Sequence, residues 1–122
     1  MDLAGLNKVA NAMTQPGKGI LAADESGGTI KKRFDAIGVE STEDNRRDYR
    51  ELLFRSKAAM HHRISGVILF DETIRGSGLD GVRFPDLLAA RGIIPGIKVD
   101  KGAKPLASAL GEECTEGLDG LR

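Results

Sequence analysis

Tryptophan is absent from this 122-residue chain, tyrosine occurs once and phenylalanine four times. So thin a supply of aromatic rings excludes a base-stacking platform for nucleic acid. The single cysteine, Cys114, can form neither an internal disulfide nor a cysteine-based zinc site, which points to a reducing, cytoplasmic setting. Its neighbours Glu112, Glu113 and Glu116 work against a thiolate, so it is not read as a nucleophile. Excess charge of one sign is missing too. Eighteen basic residues balance 18 acidic ones, which argues against a nucleic-acid-binding or membrane-seeking surface. No apolar run approaches the ~18 residues of a membrane span, and the N-terminus lacks an Arg-rich, acid-poor transit pattern. The expectation is a soluble protein with neither nucleic acid nor membrane as partner. No metal-ligand cluster is written either: His61-His62 stand side by side, and adjacent side chains rarely converge on one ion.

What is present is a repeated design. Gly17-Lys18-Gly19-Ile20-Leu21-Ala22-Ala23-Asp24-Glu25-Ser26 reads as a short apolar strand that delivers an acid and a hydroxyl to its C-terminal end. Gly66 to Thr73 repeats the pattern with Asp71 and Glu72, and Ile93 to Asp100 repeats it with Lys98 and Asp100. Strands apolar on both faces suit a buried parallel sheet, and charges at their C-terminal ends suit a shared mouth.

Between them, apolar spacing predicts helices over 2–13, 29–37, about 43–55 and 84–91, with strands near 18–24, 65–71 and 93–99. Gly27-Gly28 reads as a flexible turn and Gly38 as a C-terminal αL cap. Ser41 to Asp44 reads as an N-cap, and Pro85 is tolerated in a first helical turn. Loops are expected from Asp71 to Gly81 and over most of 102–120. The sixteen glycines fall at turns and helix ends rather than in a low-complexity tract. Alternating strands and helices predict right-handed βαβ units. Three strands leave both sheet edges open, and a closed (β/α)8 barrel takes about 250 residues. The chain therefore reads as the opening third of a larger fold.

Two groups could carry chemistry. Asp24, at the end of the first strand, could orient a substrate hydroxyl or a lysine; equally, Asp24 and Ser26 could cap the following turn. Lys98, amid apolar neighbours, could be a nucleophile of lowered pKa, an ionised clamp for phosphate or carboxylate, or a snorkelling strand-end lysine. The Gly27-Gly28-Thr29 turn before Lys31-Lys32-Arg33 could hold an anion through backbone N–H groups, a hydroxyl and a guanidinium. It is not a P-loop, and a solvated basic helix face accounts for it as well.

These residues resemble the N-terminal region of class I (Schiff-base) fructose-bisphosphate aldolase. The resemblance rests on Gly17 to Ser26, Gly38 to Arg47, Tyr49 to Phe54, Ile64 to Thr73, Gly92 to Gly102 and Gly117 to Leu121, in family order. It implies one incomplete aldolase-type barrel domain over 1–122, an α/β fold made of the first three β/α units of a TIM (β/α)8 barrel. The implied reaction is reversible cleavage of fructose 1,6-bisphosphate to dihydroxyacetone phosphate and glyceraldehyde 3-phosphate, in glycolysis and gluconeogenesis. A lysine Schiff base carries it, with no metal and no cofactor, and the full-length form is a homo-oligomer, a tetramer by family. By the same resemblance Asp24 assists carbinolamine formation, Lys98 supports the site electrostatically, and Ser26, Thr29 and Arg33 line a phosphate-binding region. The Schiff-base lysine lies on a later strand, outside this chain, which overrules Lys98 as nucleophile and makes the fragment inactive alone. The alternative is a truncated, non-catalytic chain that only binds a phosphate ligand or a subunit partner. Two departures stand out: Gly27 replaces a hydroxyl residue, and Ala107-Ser108-Ala109-Leu110 replaces a more polar loop.

Overall fold

The computed structural model describes residues 2–117. The elements run α1 (Leu3–Met13), β1 (Gly19–Ala23), α2 (Gly27–Asp35), α3 (Glu43–Arg55), α4 (Lys57–Arg63), β2 (Ile64–Leu69), α5 (Asp71–Arg75), α6 (Phe84–Ala89), β3 (Ile94–Ile97), β4 (Ala103–Pro105) and β5 (Glu113–Thr115). β1, β2 and β3 form one parallel sheet in that order, as the alternating pattern requires. β3 pairs with β2 from Gly66–Ile94 to Leu69–Ile97, and among the described residues no strand pairs with its other side.

The pleat sorts the side chains. Leu21 pairs with Val67 and Ala23 with Leu69, and this set faces the helices. There it meets Phe54 of α3, Met60 of α4, and Phe84, Leu87 and Leu88 of α6, with Phe54 and Phe84 edge to face at 5.3 Å. The alternate set, Ile20, Ala22, Gly66, Ile68, Ile94 and Gly96, stands on the other face. Met13 of α1 reaches it, since a methyl on Gly66 would come within 2.8 Å of Met13 Cε. Even so, Ile20 is 47% exposed. Leu3, Leu6 and Val9 of α1 are exposed as well, so the spacing predicts the helix but, apart from Met13, most of its apolar face stays open among the described residues.

The β1–β2 ladder carries one irregularity. Gly19 pairs with Ile64 but Ile20 with Gly66, leaving Ser65 as an extra residue. Ser65 is buried, and its hydroxyl donates to Met13 O at 2.6 Å and Gly19 O at 3.2 Å. It thereby ties the last carbonyl of α1 to the entrance of β1.

Several sequence expectations shift. Gly27 and Gly28 are not a flexible turn but the first turn of α2, which begins two residues early and ends at Asp35. Gly38 does adopt φ 69°, and Thr42 caps α3 through Asn45 N at 3.1 Å. α4 went unread because Lys57 to Arg63 offers one buried apolar side chain, Met60, too few to set a period. Asp71 and Glu72 do not end a strand; they open α5, where acids favour the positive end of the helix. Within the expected loop at 102–120, β4 and β5 pair antiparallel. Positions 118–121 of the Gly117–Leu121 block lie outside the described residues.

A sheet with one uncovered apolar face should bind hydrophobic dye. The 122-residue polypeptide alone is expected to aggregate or to enhance ANS fluorescence strongly. A dye-dark, soluble monomer with a sharp two-state melt would contradict this.

Candidate active site

Period-two geometry decides where the acids after β1 go. Asp24 continues the phase of Ile20 and Ala22 and stands on the face away from the helices, whereas Glu25 continues that of Ala23 and turns toward them. Lys98 follows Ile94 and Gly96 on the same face as Asp24, and its backbone N–H donates to Leu69 O at 2.8 Å, extending the ladder. Asp24 and Lys98, 74 residues apart in sequence, therefore meet: Lys98 Nζ lies 3.6 Å from Asp24 Oδ2.

Lys98 Nζ also donates to Asp100 Oδ1. That hydrogen bond holds the Lys98 ammonium above the ordinary lysine pKa; partial burial opposes it, and the charges of Asp100 and Asp24 add to it. The sequence option of a lysine with lowered pKa is thus corrected: two flanking carboxylates outweigh the apolar neighbours. What the geometry offers is a standing positive charge.

Around this pair lies a cavity of about 280 Å³, lined by Ala22, Asp24, Glu25, Ser26, Thr29, Arg33 and Lys98. All five candidate residues read from the sequence (Asp24, Ser26, Thr29, Arg33 and Lys98) line it. Ser26 is the N-cap residue of α2 but makes no capping hydrogen bond; its Oγ sits 3.2 Å from Thr29 Oγ1 instead. The first-turn N–H groups of α2 are thereby left without a side-chain cap, beside two hydroxyls and the Arg33 guanidinium.

The sequence reading missed what lies behind the cavity. Glu25, its side chain 8% exposed, accepts from Arg33 Nη1 and, at 3.3 Å, from Tyr49 OH. Arg50 of α3, 3% exposed, donates through Nε to Ala23 O and through Nη2 to Glu25 O, both at 3.0 Å. Its Nη2 lies 3.1 Å from Glu25 Oε2, a Coulombic contact without hydrogen-bond alignment, since that oxygen has no aligned donor. Burial pushes the Arg50 pKa down and the Glu25 charge opposes the push. The available signal was that Glu25 stands one pleat out of phase with Asp24.

Other charged residues stay away from the cavity. Asp71 pairs with Arg75 at 2.9 Å, and Glu72 takes a two-pronged contact from Arg46 at 2.8 and 2.7 Å. The His61 and His62 rings meet edge to face at 4.4 Å on α4, and the described residues contain no group of ligands suited to a metal. Cys114 is exposed on β5. The tip at 107–110 projects Leu110 fully into solvent and contributes nothing to the cavity lining. No helix among the described residues is long and apolar enough to cross a membrane.

A family model described as class-I fructose-bisphosphate aldolase matches residues 5–122. The probable fructose-bisphosphate aldolase class 1 of Xanthomonas campestris is 59% identical over 122 residues, all of this chain and 36% of the relative. Fructose-bisphosphate aldolase 1 of Caenorhabditis elegans is 56% identical over 116 residues, 95% of this chain and 32% of the relative. Among solved structures, the Plasmodium falciparum aldolase in complex with TRAP and a small-molecule inhibitor matches with a TM-score of 0.85 at 49% identity. That match covers 96% of this chain and 33% of the other. The chain thus spans about a third of the length of these relatives, and its parallel β/α units are the first three of a TIM barrel.

The Lys98–Asp100 bond can be tested directly. Let residues 1–122 replace the corresponding segment of the Xanthomonas campestris relative, giving a chimera with a complete barrel. Because the Lys98 pKa is raised, its acylation by an amine reagent should reach half-maximal rate at a higher pH than that of an ordinary lysine. Asp100→Asn should bring that midpoint down; mass-spectrometric labelling profiles that coincide would contradict the assignment.

Proposed function

The chain belongs to the class I fructose-bisphosphate aldolase family, and on that premise we propose that it supplies part of the mouth of an enzyme cleaving fructose 1,6-bisphosphate. The products are dihydroxyacetone phosphate and glyceraldehyde 3-phosphate, and the reaction runs in both directions. What supports the reading is the meeting of Asp24, Lys98 and the Ser26-Thr29-Arg33 group around one cavity at the C-terminal ends of β1 and β3. In a (β/α)8 barrel that end is where chemistry sits.

The roles follow from the groups. Asp24, 3.6 Å from the Lys98 ammonium, accepts hydrogen bonds from substrate hydroxyls and exchanges a proton as the carbonyl adds an amine. Lys98 supplies positive charge to bound anion and to developing oxyanion alike. Arg33, whose side chain is 59% exposed, meets a phosphate with N–H groups that Glu25 leaves free, while Ser26, Thr29 and the first turn of α2 complete the contact. Gly27 forms the first helical position of α2, so the family's hydroxyl is replaced there by backbone alone. The imine-forming lysine of the family belongs to a later strand. We therefore assign the 122 residues no turnover of their own; from the family resemblance and the lone cysteine we further propose a cytoplasmic setting and, within a complete protein, a tetrameric assembly. A second reading, phosphate binding without catalysis, draws on the same cavity, because its hydroxyls and guanidinium need no nucleophile to hold an anion.

Borohydride trapping with dihydroxyacetone phosphate separates the enzyme from the fragment. The 122-residue chain should form no adduct, since the reactive amine is elsewhere, and a stoichiometric adduct on Lys98 would overturn this. In the chimera, Asp24→Ala should lower kcat strongly with KM comparatively little changed. Arg33→Ala should chiefly raise KM, by roughly 30-fold for a charge-assisted contact of about 2 kcal/mol. Lys98→Ala should affect both. Wild-type behaviour of Asp24→Ala, or a pure kcat effect of Arg33→Ala, would refute the assigned roles.

A further inference from the structure

Glu25 is the one charged group lining the cavity for which the proposed reaction has no use. Its surroundings are specific. One carboxylate oxygen, Oε1, takes both the Arg33 guanidinium and the Tyr49 hydroxyl, while Oε2 faces Arg50. Arg50 is itself fixed by two backbone carbonyls, and Tyr49 packs edge to face on Phe34 of α2 at 5.8 Å. The carboxylate is therefore held from two sides by rigid groups of α3. Arg33, by contrast, is largely exposed and, among the described residues, makes one side-chain hydrogen bond, through Nη1. A guanidinium has five N–H donors in a planar fork, so an acceptor behind Nη1 leaves the others free for a ligand in front. A long exposed side chain that must be ordered on binding costs affinity; one already held does not.

We infer that Glu25 is a positioning residue: anchored by Arg50 and Tyr49, it holds the Arg33 guanidinium at the cavity rim, ready for a substrate phosphate. The inference rests on the reading of Arg33 as the phosphate clamp. It makes the affinity for the phosphorylated end of the substrate depend on α3, which contributes no residue to the cavity lining. Glu25 then acts on binding and not on the bond-breaking step, and it acts only through Arg33.

A double-mutant cycle in the chimera tests this. Glu25→Gln should raise KM for fructose 1,6-bisphosphate about tenfold, with kcat within about twofold, because the freed Arg33 must be ordered anew. In the Arg33→Ala background the same change should leave KM unaltered. An equal rise in both backgrounds would show that Glu25 works independently of Arg33 and would overturn the inference. So would an unchanged KM in Glu25→Gln alongside a raised KM in Arg33→Ala, with the clamp left standing. An unchanged KM in Arg33→Ala itself would remove the clamp, and the inference with it. Should Glu25→Gln fail to fold, Tyr49→Phe removes only the hydroxyl on Oε1. Its expected rise of about threefold should likewise vanish without Arg33, and no rise at all would overturn the proposal.

Discussion

Arg50 is the residue on which the arrangement at the end of β1 hangs. A strand that runs out of ladder partners leaves carbonyls to be satisfied, and Arg50 binds two of them, at Ala23 and Glu25, on either side of Asp24. A guanidinium taken out of water at this depth is costly unless it is met by acceptors and by charge. Here it has both, though its Nη1 finds no partner among the described residues. The result is that the backbone on both flanks of Asp24 is tied to α3, and the direction of its side chain is fixed by more than the pleat.

From that point the site divides into two layers. In front stand groups that a ligand can reach: Asp24, Lys98, the two hydroxyls and the outer edge of Arg33. Behind stand the nearly buried side chains of Glu25 and Arg50 and the half-buried Tyr49, the last two on α3. The division follows from one alternation in the chain, carried past the end of the strand by two residues. Charge is arranged accordingly. The front pair, Asp24 and Lys98, sits at an ion-pair distance too long for a good hydrogen bond and is open to exchange with a ligand. The rear cluster is held mainly by its own contacts, with Glu25 Oε2 and Arg50 Nη1 left without a hydrogen-bond partner among the described residues.

Much of this was legible in the sequence and some was not, for physical reasons. The strands were legible because Ile20 to Ala23, Gly66 to Leu69 and Ile93 to Ile97 are short, apolar and bounded by glycine or charge. The front residues were legible because chemistry-bearing side chains follow those strands at once. Glu25 was given no role of its own beside Asp24, since adjacency in sequence hides the fact that neighbours on a strand look in opposite directions. Arg50 was hidden too: it lies in a helix dense in charge, Glu43 to Arg55, where one buried arginine has no compositional mark. α4, α5 and the β4–β5 pair escaped because each is too short to establish a period, and tertiary contacts decide their state.

The extra residue at Ser65 shows that the ladder can absorb a change of length at its entrance, where a buried hydroxyl repairs the broken bonding. No such repair exists further along β1. Inserting or removing one residue between Ile20 and Ala23 would leave the hydrophobic content of the strand almost as it was. It would nonetheless exchange the sides on which the two acids emerge, sending Glu25 toward solvent and Asp24 toward Arg50. β1 is thus forgiving of spelling and intolerant of miscounting: the strand serves as a ruler for the carboxylates beyond it.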